Sequence, residues 1–436
     1  MNFPLNKLSP LLPGLPIRLV LLVASLVLSS ALSGCGGRLV KETAAEPKLE
    51  QKAASPTSLP NWLGNSERRF YGTGPWQPGP LEIVWQVETG MIKGQLHKDP
   101  WGGTSWPGQP SVDAERVYFP SADGNLYCLN RADGTVIWKY QAKDSFKTTP
   151  TIAGDRIIAS GLDHHVYCLN AKDGTLIWDY KTGFEVDCSS AVIDGRVYFG
   201  GEDGFFYCLS LEDGSLIYKT EWLGSMEGSF SAVGGKIYVG TEQGDLYCLN
   251  MPDGSTAWKS RIGADSDSTP LVAGGFIYTA AEDGYVYCFR QANGEPVWKF
   301  KAEGGLSQIY KERSGFWASP IAFKDRIYIG SNNGFMYSLT ADKGQLVWKH
   351  LVRGPIWGTS PVVDGRLVFG DKAGWIYLLA AEDGKRLGEL KIGDNLNSTP
   401  AILGGHIYIG AFNGNLYCLG TKTANWEQAE GMTSDH

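Results

Sequence analysis

Cysteine is the residue type in this chain whose spacing most invites a chemical function, because thiols form disulfides, bind metals and carry redox chemistry. Six of the 8 cysteines occupy one position of a repeat: Cys128, Cys168, Cys208, Cys248, Cys288 and Cys418. Equivalent residues of neighbouring stacked sheets lie about 10 Å apart, whereas a disulfide needs Cα atoms within about 7 Å. We therefore predict small packing residues at these six positions. Cys188, which the repeat assigns to an innermost strand, is predicted to be an unpaired thiol.

Histidines and carboxylates offer two further candidates for metal binding. His164 and His165 are adjacent and could bind a metal if a third ligand converged on them, but an exposed turn with a positive φ at His164 is the favoured interpretation. Asp265-Ser266-Asp267 has two alternating oxygen donors, fewer than a calcium loop supplies. No nucleophile elbow, phosphate loop or paired-carboxylate motif stands out from the repeat. The sequence therefore names no catalytic residue.

The elements that must position these side chains follow from a repeat over most of the chain. Tyrosines recur in steps of 40, 40, 40, 40, 50, 40 and 40 residues, at Tyr127, Tyr167, Tyr207, Tyr247, Tyr287, Tyr337, Tyr377 and Tyr417. Each unit contains four short apolar segments, and Asp-Gly or a variant separates the third from the fourth, as in tight hairpins. In the second unit these strands are predicted over 150–152, 156–160, 166–170 and 175–180. Four short strands per 40 residues are typical of a propeller blade, so we predict an all-β, eight-bladed β-propeller.

Closure of the propeller can be read from its two ends. The eighth unit supplies three strands and then loses the Asp-Gly turn and its fourth strand. Residues 81–90 match the fourth strand of the second unit, 175–183. We therefore predict that the N-terminal strand completes the last blade and covers its unpaired edge. The propeller is predicted to span residues 81–420, followed by a tail at 421–436.

Residues 1–34 have the form of a lipoprotein signal peptide. Lys7 and Arg18 precede an uncharged run over 19–32, which is shorter than the roughly 20 residues of a membrane span. The run ends in Leu32-Ser33-Gly34-Cys35, which resembles a lipobox, so we predict lipid attachment at Cys35; an ordinary secretory signal is the alternative. In enterobacterial lipoproteins an aspartate at the residue after the lipidated cysteine retains the protein at the inner membrane, and this sequence has Gly36 there. The resemblance therefore implies the periplasmic face of the outer membrane in a cell that has one. Residues 35–80 are predicted to form a flexible tether.

Four tryptophans lie outside the repeat and before predicted innermost strands: Trp101, Trp106, Trp317 and Trp357. At that point of a propeller they could line the central channel. A quinone or sugar could stack on such rings, but a tapered channel also needs bulk to fill it, and filling is the favoured role.

The single 50-residue step marks an insertion between the outer strand of the fifth unit and the inner strand of the sixth, within residues 302–316. It mixes aromatic, aliphatic and charged residues of the kind enriched at protein interfaces. The predicted partner-binding residues are Leu306, Ile309, Tyr310, Lys311, Arg313 and Phe316. In the alternative interpretation, Leu306 and Phe316 merely hold the loop over the channel mouth.

The recurring Leu-Asn-x-x-Asp-Gly-x-x-x-Trp-Lys resembles the PQQ-like repeat of quinoprotein dehydrogenases, over residues 81–420. Those enzymes commonly have adjacent cysteines over the cofactor, and this sequence has no Cys-Cys pair and no assignable set of calcium ligands. A lipobox, a short tether and eight blades closed by the N-terminal strand are more similar to the BamB-like lipoproteins of the outer-membrane β-barrel assembly machinery. That resemblance implies a non-catalytic envelope scaffold without a cofactor.

Function is thus predicted as an interaction propeller that assists outer-membrane β-barrel assembly, with envelope proteins as partners and a lipid anchor in the membrane. Another extracytoplasmic binding propeller and a PQQ-dependent, dehydrogenase-like enzyme remain as alternatives. The net charge of -7 is spread over interspersed residues of both signs without a basic block. This pattern argues against a nucleic-acid partner.

Overall fold

The computed structural model describes residues 57–90, 108–303, 315–393 and 395–420. Almost all regular structure in these ranges is β, in eight sheets of four antiparallel strands, which confirms the predicted fold. A single 3₁₀ turn, Trp62–Gly64, precedes the first strand. None of the helical residues described form a segment that is long and apolar enough to cross a membrane.

The first four blades follow each other in the chain. Blade 1 contains β2 (Ser111–Val112), β3 (Arg116–Pro120), β4 (Asn125–Asn130) and β5 (Val136–Gln141). Blade 2 contains β6 (Thr151–Ala153), β7 (Arg156–Ser160), β8 (His165–Asn170) and β9 (Leu176–Lys181). Blade 3 contains β10 (Ala191–Ile193), β11 (Arg196–Gly200), β12 (Phe206–Ser210) and β13 (Leu216–Lys219). Blade 4 contains β14 (Ser231–Val233), β15 (Lys236–Gly240), β16 (Asp245–Asn250) and β17 (Thr256–Arg261).

The last four blades complete the ring, and only the eighth combines both ends of the chain. Blade 5 contains β18 (Leu271–Ala273), β19 (Phe276–Ala280), β20 (Tyr285–Arg290) and β21 (Pro296–Lys301). Blade 6 contains β22 (Ile321–Phe323), β23 (Arg326–Gly330), β24 (Phe335–Thr340) and β25 (Leu346–Leu351). Blade 7 contains β26 (Val362–Val363), β27 (Arg366–Gly370), β28 (Trp375–Ala380) and β29 (Arg386–Lys391). Blade 8 contains β30 (Ala401–Leu403), β31 (His406–Gly410), β32 (Asn415–Gly420) and β1 (Glu82–Glu88).

Strand β1 closes the ring as predicted. It pairs antiparallel with β32, from Glu82 opposite Gly420 to Glu88 opposite Asn415. The pairing satisfies backbone groups that an incomplete blade would leave exposed along β32. The two ends of the propeller are therefore held together by a sheet rather than by a loop.

The core lies between blades, because the inner strands of each blade are buried on both faces. In β4 the residues from Asn125 to Leu129 are all buried, whereas in β5 burial is confined to Trp138. The repeated tryptophan is therefore the residue with which the outer strand joins the core. Its indole covers the Asp-Gly turn of the following blade: Nε1 of Trp138 donates a hydrogen bond of 3.1 Å to the Ala171 carbonyl.

The cysteines of the repeat lie in this core, and the described cysteines are all free thiols. Cys128 faces Tyr118 on one neighbouring strand and Trp138 on the other, in the packing role predicted for its position. Cys188 is also buried and free, but it precedes β10 instead of lying within it. The innermost strands are only two or three residues long, so the prediction placed this strand too early in the chain.

Residues 57–80, hereafter the plug, correct the predicted boundary of the tether. Leu59 pairs with Val112 of blade 1, and the Pro60 carbonyl accepts a hydrogen bond of 2.6 Å from the Ile152 amide of blade 2. Further along the plug, the Ser66 carbonyl accepts a hydrogen bond from a backbone amide of blade 4, and the Tyr71 hydroxyl accepts one from a backbone amide of blade 6. The Thr73 amide donates a hydrogen bond to a backbone carbonyl of blade 8. The plug is thus bound across the innermost strands of five blades and is not a flexible tether. Residues 1–56, with Cys35, and the tail 421–436 lie outside the described residues.

A belt of hydroxyl groups joins the blades around the channel. The Thr149 amide donates to Ser189 Oγ at 3.0 Å, and the Ser189 amide donates to Ser229 Oγ at 2.9 Å. Equivalent amide-to-hydroxyl hydrogen bonds link blades 5 to 8: each residue of this series donates from its backbone amide to the hydroxyl of the next, in the order Thr269, Ser319, Thr359 and Thr399. Six short hydroxyl residues that lie two or three positions before an inner strand thus each accept a hydrogen bond from a backbone amide of the preceding blade: Thr149, Ser189, Ser229, Ser319, Thr359 and Thr399.

Candidate functional site

One face of the ring, hereafter the mouth face, is built from two kinds of loop. The connections that lead from a fourth strand to the next blade lie beside the turns between second and third strands. Their backbones are joined by hydrogen bonds: the Glu202 amide to the Glu185 carbonyl at 3.0 Å, and the Glu282 amide to the Asp265 carbonyl at 2.9 Å. Side chains at equivalent positions of successive units therefore converge around the channel on this face.

Eight carboxylate residues from three adjacent blades meet on the mouth face, and we call them the acidic cluster. The connections and turns of blades 3 to 5 contribute Glu185, Asp187, Glu202, Glu227, Glu242, Asp265, Asp267 and Glu282. One lysine enters the cluster from the connection before blade 2: Lys147 Nζ lies 2.8 Å from Asp187 Oδ2. Burial opposes the charge of this ammonium, but the Asp187 carboxylate raises its pKa, so Lys147 stays a cation.

The crowding of like charges changes the acidity of the cluster. Burial, followed by the negative charges of Asp187 and Glu185, raises the pKa of Glu202 to about 9. Burial and Asp187 raise the pKa of Glu227 to about 8. Burial and Glu227 raise the pKa of Asp267 well above its ordinary value. In the absence of a cation the cluster therefore holds protons at neutral pH.

The sequence carries a signal for this cluster that the motif search missed. Lys147, Asp187, Glu227 and Asp267 occupy one position of four successive units, 40 residues apart. Only the Asp265-Ser266-Asp267 pair was singled out, because a linear motif search ranks neighbouring residues. Residues 40 apart become neighbours only once the ring closes.

Two of the four tryptophans predicted to line the channel, Trp317 and Trp357, lie beside the acidic cluster. They occupy the same position of the repeat as Asp267, in the next two units. The rings of Trp317 and Trp357 lie 4.2 Å apart between centroids, and Trp317 Nε1 donates a hydrogen bond of 2.9 Å to Glu282 Oε1. Lys372 Nζ lies 4.1 Å from the centre of the Trp357 ring. Trp101 and Trp106 lie outside the described residues.

A small cavity lies between these groups. Its volume is about 20 Å³, and Trp62 of the plug lines it together with Lys147, Asp187, Glu227 and Trp317. Such a volume holds a water molecule or a bare ion. A fused-ring quinone does not fit into it.

The insertion before blade 6 is described only at its ends. Phe316 is fully buried and its ring packs 6.2 Å from that of Tyr337, so its predicted role in partner binding is wrong. Its amide is held by the Ala281 carbonyl at 3.1 Å, which fixes the end of the loop to blade 5. The other five predicted partner-binding residues, Leu306, Ile309, Tyr310, Lys311 and Arg313, lie outside the described residues.

Two exposed aromatic residues on the mouth face were missed by the sequence analysis. Trp222 is 60% exposed, and Phe184 is 48% exposed. Both belong to connections that carry the acidic cluster, and Phe184 lies 5.3 Å from the His164 ring. Neither aromatic residue recurs at the same position of the other units, so the repeat does not indicate a function for them.

The adjacent histidines do not form a common site. His164 has the positive φ of 69° that its turn position predicted, and its ring faces Phe184. The His165 ring instead lies 2.8 Å from the Asp179 carboxylate and stacks on Tyr167. The two imidazoles therefore point to different partners.

Comparisons with solved structures identify propellers of several functions. BamB from Moraxella catarrhalis is 15% identical, with a TM-score of 0.62 over 80% of this chain and 99% of that one. A europium-containing methanol dehydrogenase is 14% identical, with a TM-score of 0.69 over 84% and 98%. Quinohemoprotein alcohol dehydrogenase from Comamonas testosteroni is 12% identical, with a TM-score of 0.68 over 84% and 81%. At these identities the likeness shows the fold alone.

No curated protein matches the sequence significantly. The model of one family does: that of the β-propeller described for beta-alanine-activating enzyme matches residues 153–421, more than half of the 436-residue chain. The matched segment begins in the first strand of blade 2 and runs to the end of the ring. The chain therefore belongs to this family of PQQ-like β-propellers.

Proposed function

We propose that the chain is a non-catalytic, lipid-anchored scaffold of the cell envelope. It would act like BamB in the assembly of outer-membrane β-barrel proteins and bind its protein partner on the mouth face. The observation that carries this proposal is the pair of exposed aromatic residues, Phe184 and Trp222, beside the acidic cluster. Aromatic anchors on rigid loops are typical of interface hot spots, and the carboxylates favour a basic partner surface.

The plug supports a role for the face rather than for the channel. It contacts the innermost strands of five blades from inside the ring, whereas Phe184 and Trp222 of the mouth face stay exposed to a partner. A dehydrogenase would have to accommodate a quinone in the channel. The cavity of about 20 Å³ among the described channel residues disfavours the enzyme.

Partner binding can be tested with the periplasmic part of the β-barrel assembly protein from the same cell. We expect the double variant Phe184→Ser/Trp222→Ser to bind it at least tenfold more weakly, because hot-spot aromatic residues each contribute about 2 kcal/mol or more. Ile177→Ser is the matched control, since this residue is also exposed but lies on an outer strand. Equal affinities of the two variants would move the interface away from the mouth face.

Lipid attachment is tested separately with Cys35→Ala. The unchanged protein is expected in the membrane fraction with the added mass of the lipid, and the variant in the soluble fraction with the mass of its polypeptide. If the unchanged protein and the variant are both soluble and unmodified, the proposed lipid anchor is wrong. That result would not bear on the proposed partner-binding surface.

A further inference from the structure

Three carboxylates of the acidic cluster converge on a single point. Oxygen atoms of Glu185, Asp187 and Glu202 all lie within 4.8 Å of one another. Calcium binds oxygen ligands at about 2.3 to 2.6 Å, so two of its ligands lie no more than about 5.2 Å apart. Three atoms within 4.8 Å of one another have a common point no more than about 2.8 Å from each, so rotations of the side chains let one ion contact all three without a movement of the backbone.

The burial of Asp187 is a second, independent observation. Its side chain is only 4% exposed, and its Oδ2 accepts from Lys147. Its Oδ1 is buried and has no hydrogen-bond partner in the described protein. A buried carboxylate oxygen without a donor is costly, and a bound cation supplies the missing partner.

Charge points in the same direction. Glu227 adds a fourth carboxyl group around Lys147, and one ammonium cannot neutralise four ionised carboxylates. A divalent cation can replace the protons that the cluster otherwise holds. Donors that are all oxygen favour a hard cation over zinc, which prefers nitrogen and sulfur ligands. Glu185 and Glu202 are half-buried, so water can reach the remaining coordination positions, and Ca²⁺ tolerates the irregular shell that results.

We propose that Glu185, Asp187 and Glu202 bind one hard divalent cation, Ca²⁺, at the mouth of the propeller. The ion would join two segments of blade 3: the connection that leads into the blade, and the turn between β11 and β12. The ion would thereby stiffen the loops that carry Phe184 and the acidic cluster. The site stands on its own geometry and does not depend on the identity of the protein partner.

The test is a calorimetric titration of the full chain, stripped with EDTA, with Ca²⁺, Mg²⁺ and Zn²⁺. We expect one equivalent of Ca²⁺ to bind, and Glu202→Gln to weaken its binding at least tenfold. Glu242→Gln is the matched control: it removes the equivalent carboxylate of blade 4, which is outside the converging set, and should change the affinity less than twofold.

A variant with the opposite effect guards against misfolding as an explanation. Lys147→Met removes the ammonium that competes for Asp187, so Ca²⁺ should bind severalfold more tightly. Absence of Ca²⁺ binding at millimolar concentration would overturn the proposal and leave a cluster that holds only protons. Equal losses in Glu202→Gln and Glu242→Gln would also overturn it, because the ion would then be attracted by the cluster as a whole.

Discussion

Arg68 shows how one residue of the plug is tied to the ring. Its guanidinium is fully buried and donates from Nε to the Phe230 carbonyl at 2.8 Å and from an amino group to the Trp62 carbonyl at 2.9 Å. Its other amino group reaches the Ser189 carbonyl at 3.3 Å. Burial lowers its pKa to about 10, which still leaves the residue charged at neutral pH. Three carbonyls from separate segments thus share one cation.

His406 makes the stability of blade 8 depend on pH. The residue is buried, and burial followed by the charge of Arg131 lowers its pKa from 6.5 to about 4. His406 of the unfolded chain binds a proton near pH 6.5, whereas in the folded chain it binds one only near pH 4. The stabilisation is therefore complete above pH 6.5 and is lost as the pH falls from 6.5 through 4.

We expect His406→Gln to remove this dependence. Between pH 7.5 and pH 5 the unchanged protein should lose roughly 2 kcal/mol of unfolding free energy more than the variant does. Denaturant unfolding at the two pH values measures the difference. His164→Asn, at a mouth-face turn where Asn tolerates the positive φ, is the control and should follow the unchanged protein. Parallel losses in all three proteins would mean that another group titrates.

Single residues were predictable where the backbone alone decides them. The positive φ of His164 and the free thiols of the repeat follow from turn chemistry and from the distance between sheets. The acidic cluster and the exposed Trp222 were not predictable in this way. They depend on which loops meet around the channel, and that is a property of the closed ring.

At the scale of elements, the joint between neighbouring blades is the same around most of the ring. A tryptophan on the fourth strand packs on the glycine of the next Asp-Gly turn, so close that a Cβ on Gly174 would lie 2.6 Å from the Trp138 ring. The same contact recurs at Gly134, Gly214, Gly294, Gly344 and Gly384, with Tyr218 in place of tryptophan at Gly254. The glycine is thus required twice, for its positive φ and for the space it leaves.

The joint between blades 7 and 8 lacks this contact. Gly388 occupies the tryptophan position, opposite Leu378, and a cavity of about 210 Å³ lies beside it. Trp76 and Leu81 of the N-terminal segment line that cavity together with Gly420. A Cβ at Gly388 would meet only Leu378 Cβ, at 3.9 Å. The position therefore has room for a side chain.

We expect Gly388→Trp to stabilise the propeller by about 1 kcal/mol, because the indole buries apolar surface in an existing cavity. Thermal unfolding measures the gain. Gly388→Ala is the control, since it changes the backbone preference in the same way but leaves most of the cavity empty. A lower melting temperature for the tryptophan variant than for the alanine variant would show that the cavity does not fit an indole.

The strands could be predicted closely, while the plug could not. In blade 2 no end of a predicted strand differs from the observed end by more than one residue, because alternation and Asp-Gly turns mark each hairpin. The plug has no period: its apolar residues Leu59, Trp62, Leu63, Phe70 and Tyr71 follow neither the spacing of a strand nor that of a helix. Its order comes from contacts with five blades, and such contacts leave no local pattern.

For the whole molecule, stability rests on two devices contributed by one N-terminal stretch. Strand β1 closes the ring from outside through its pairing with β32, and the plug binds the innermost strands from inside. The blades otherwise contact mainly their neighbours, as in other repeat proteins. Loss of closure should therefore affect the entire ring, whereas loss of the plug should affect its centre.

Two truncations separate these contributions, relative to a chain that starts at residue 36. A chain that starts at residue 81 keeps β1 and should still unfold cooperatively, at a lower temperature, because Arg68 and the buried apolar residues of the plug are gone. A chain that starts at residue 95 also loses β1, leaves β32 as an open edge, and should aggregate or unfold in a broad transition. Calorimetry and light scattering distinguish the two outcomes. Identical sharp transitions for both truncations would show that the ring stays closed without β1, and that its cohesion comes from the contacts between blades alone.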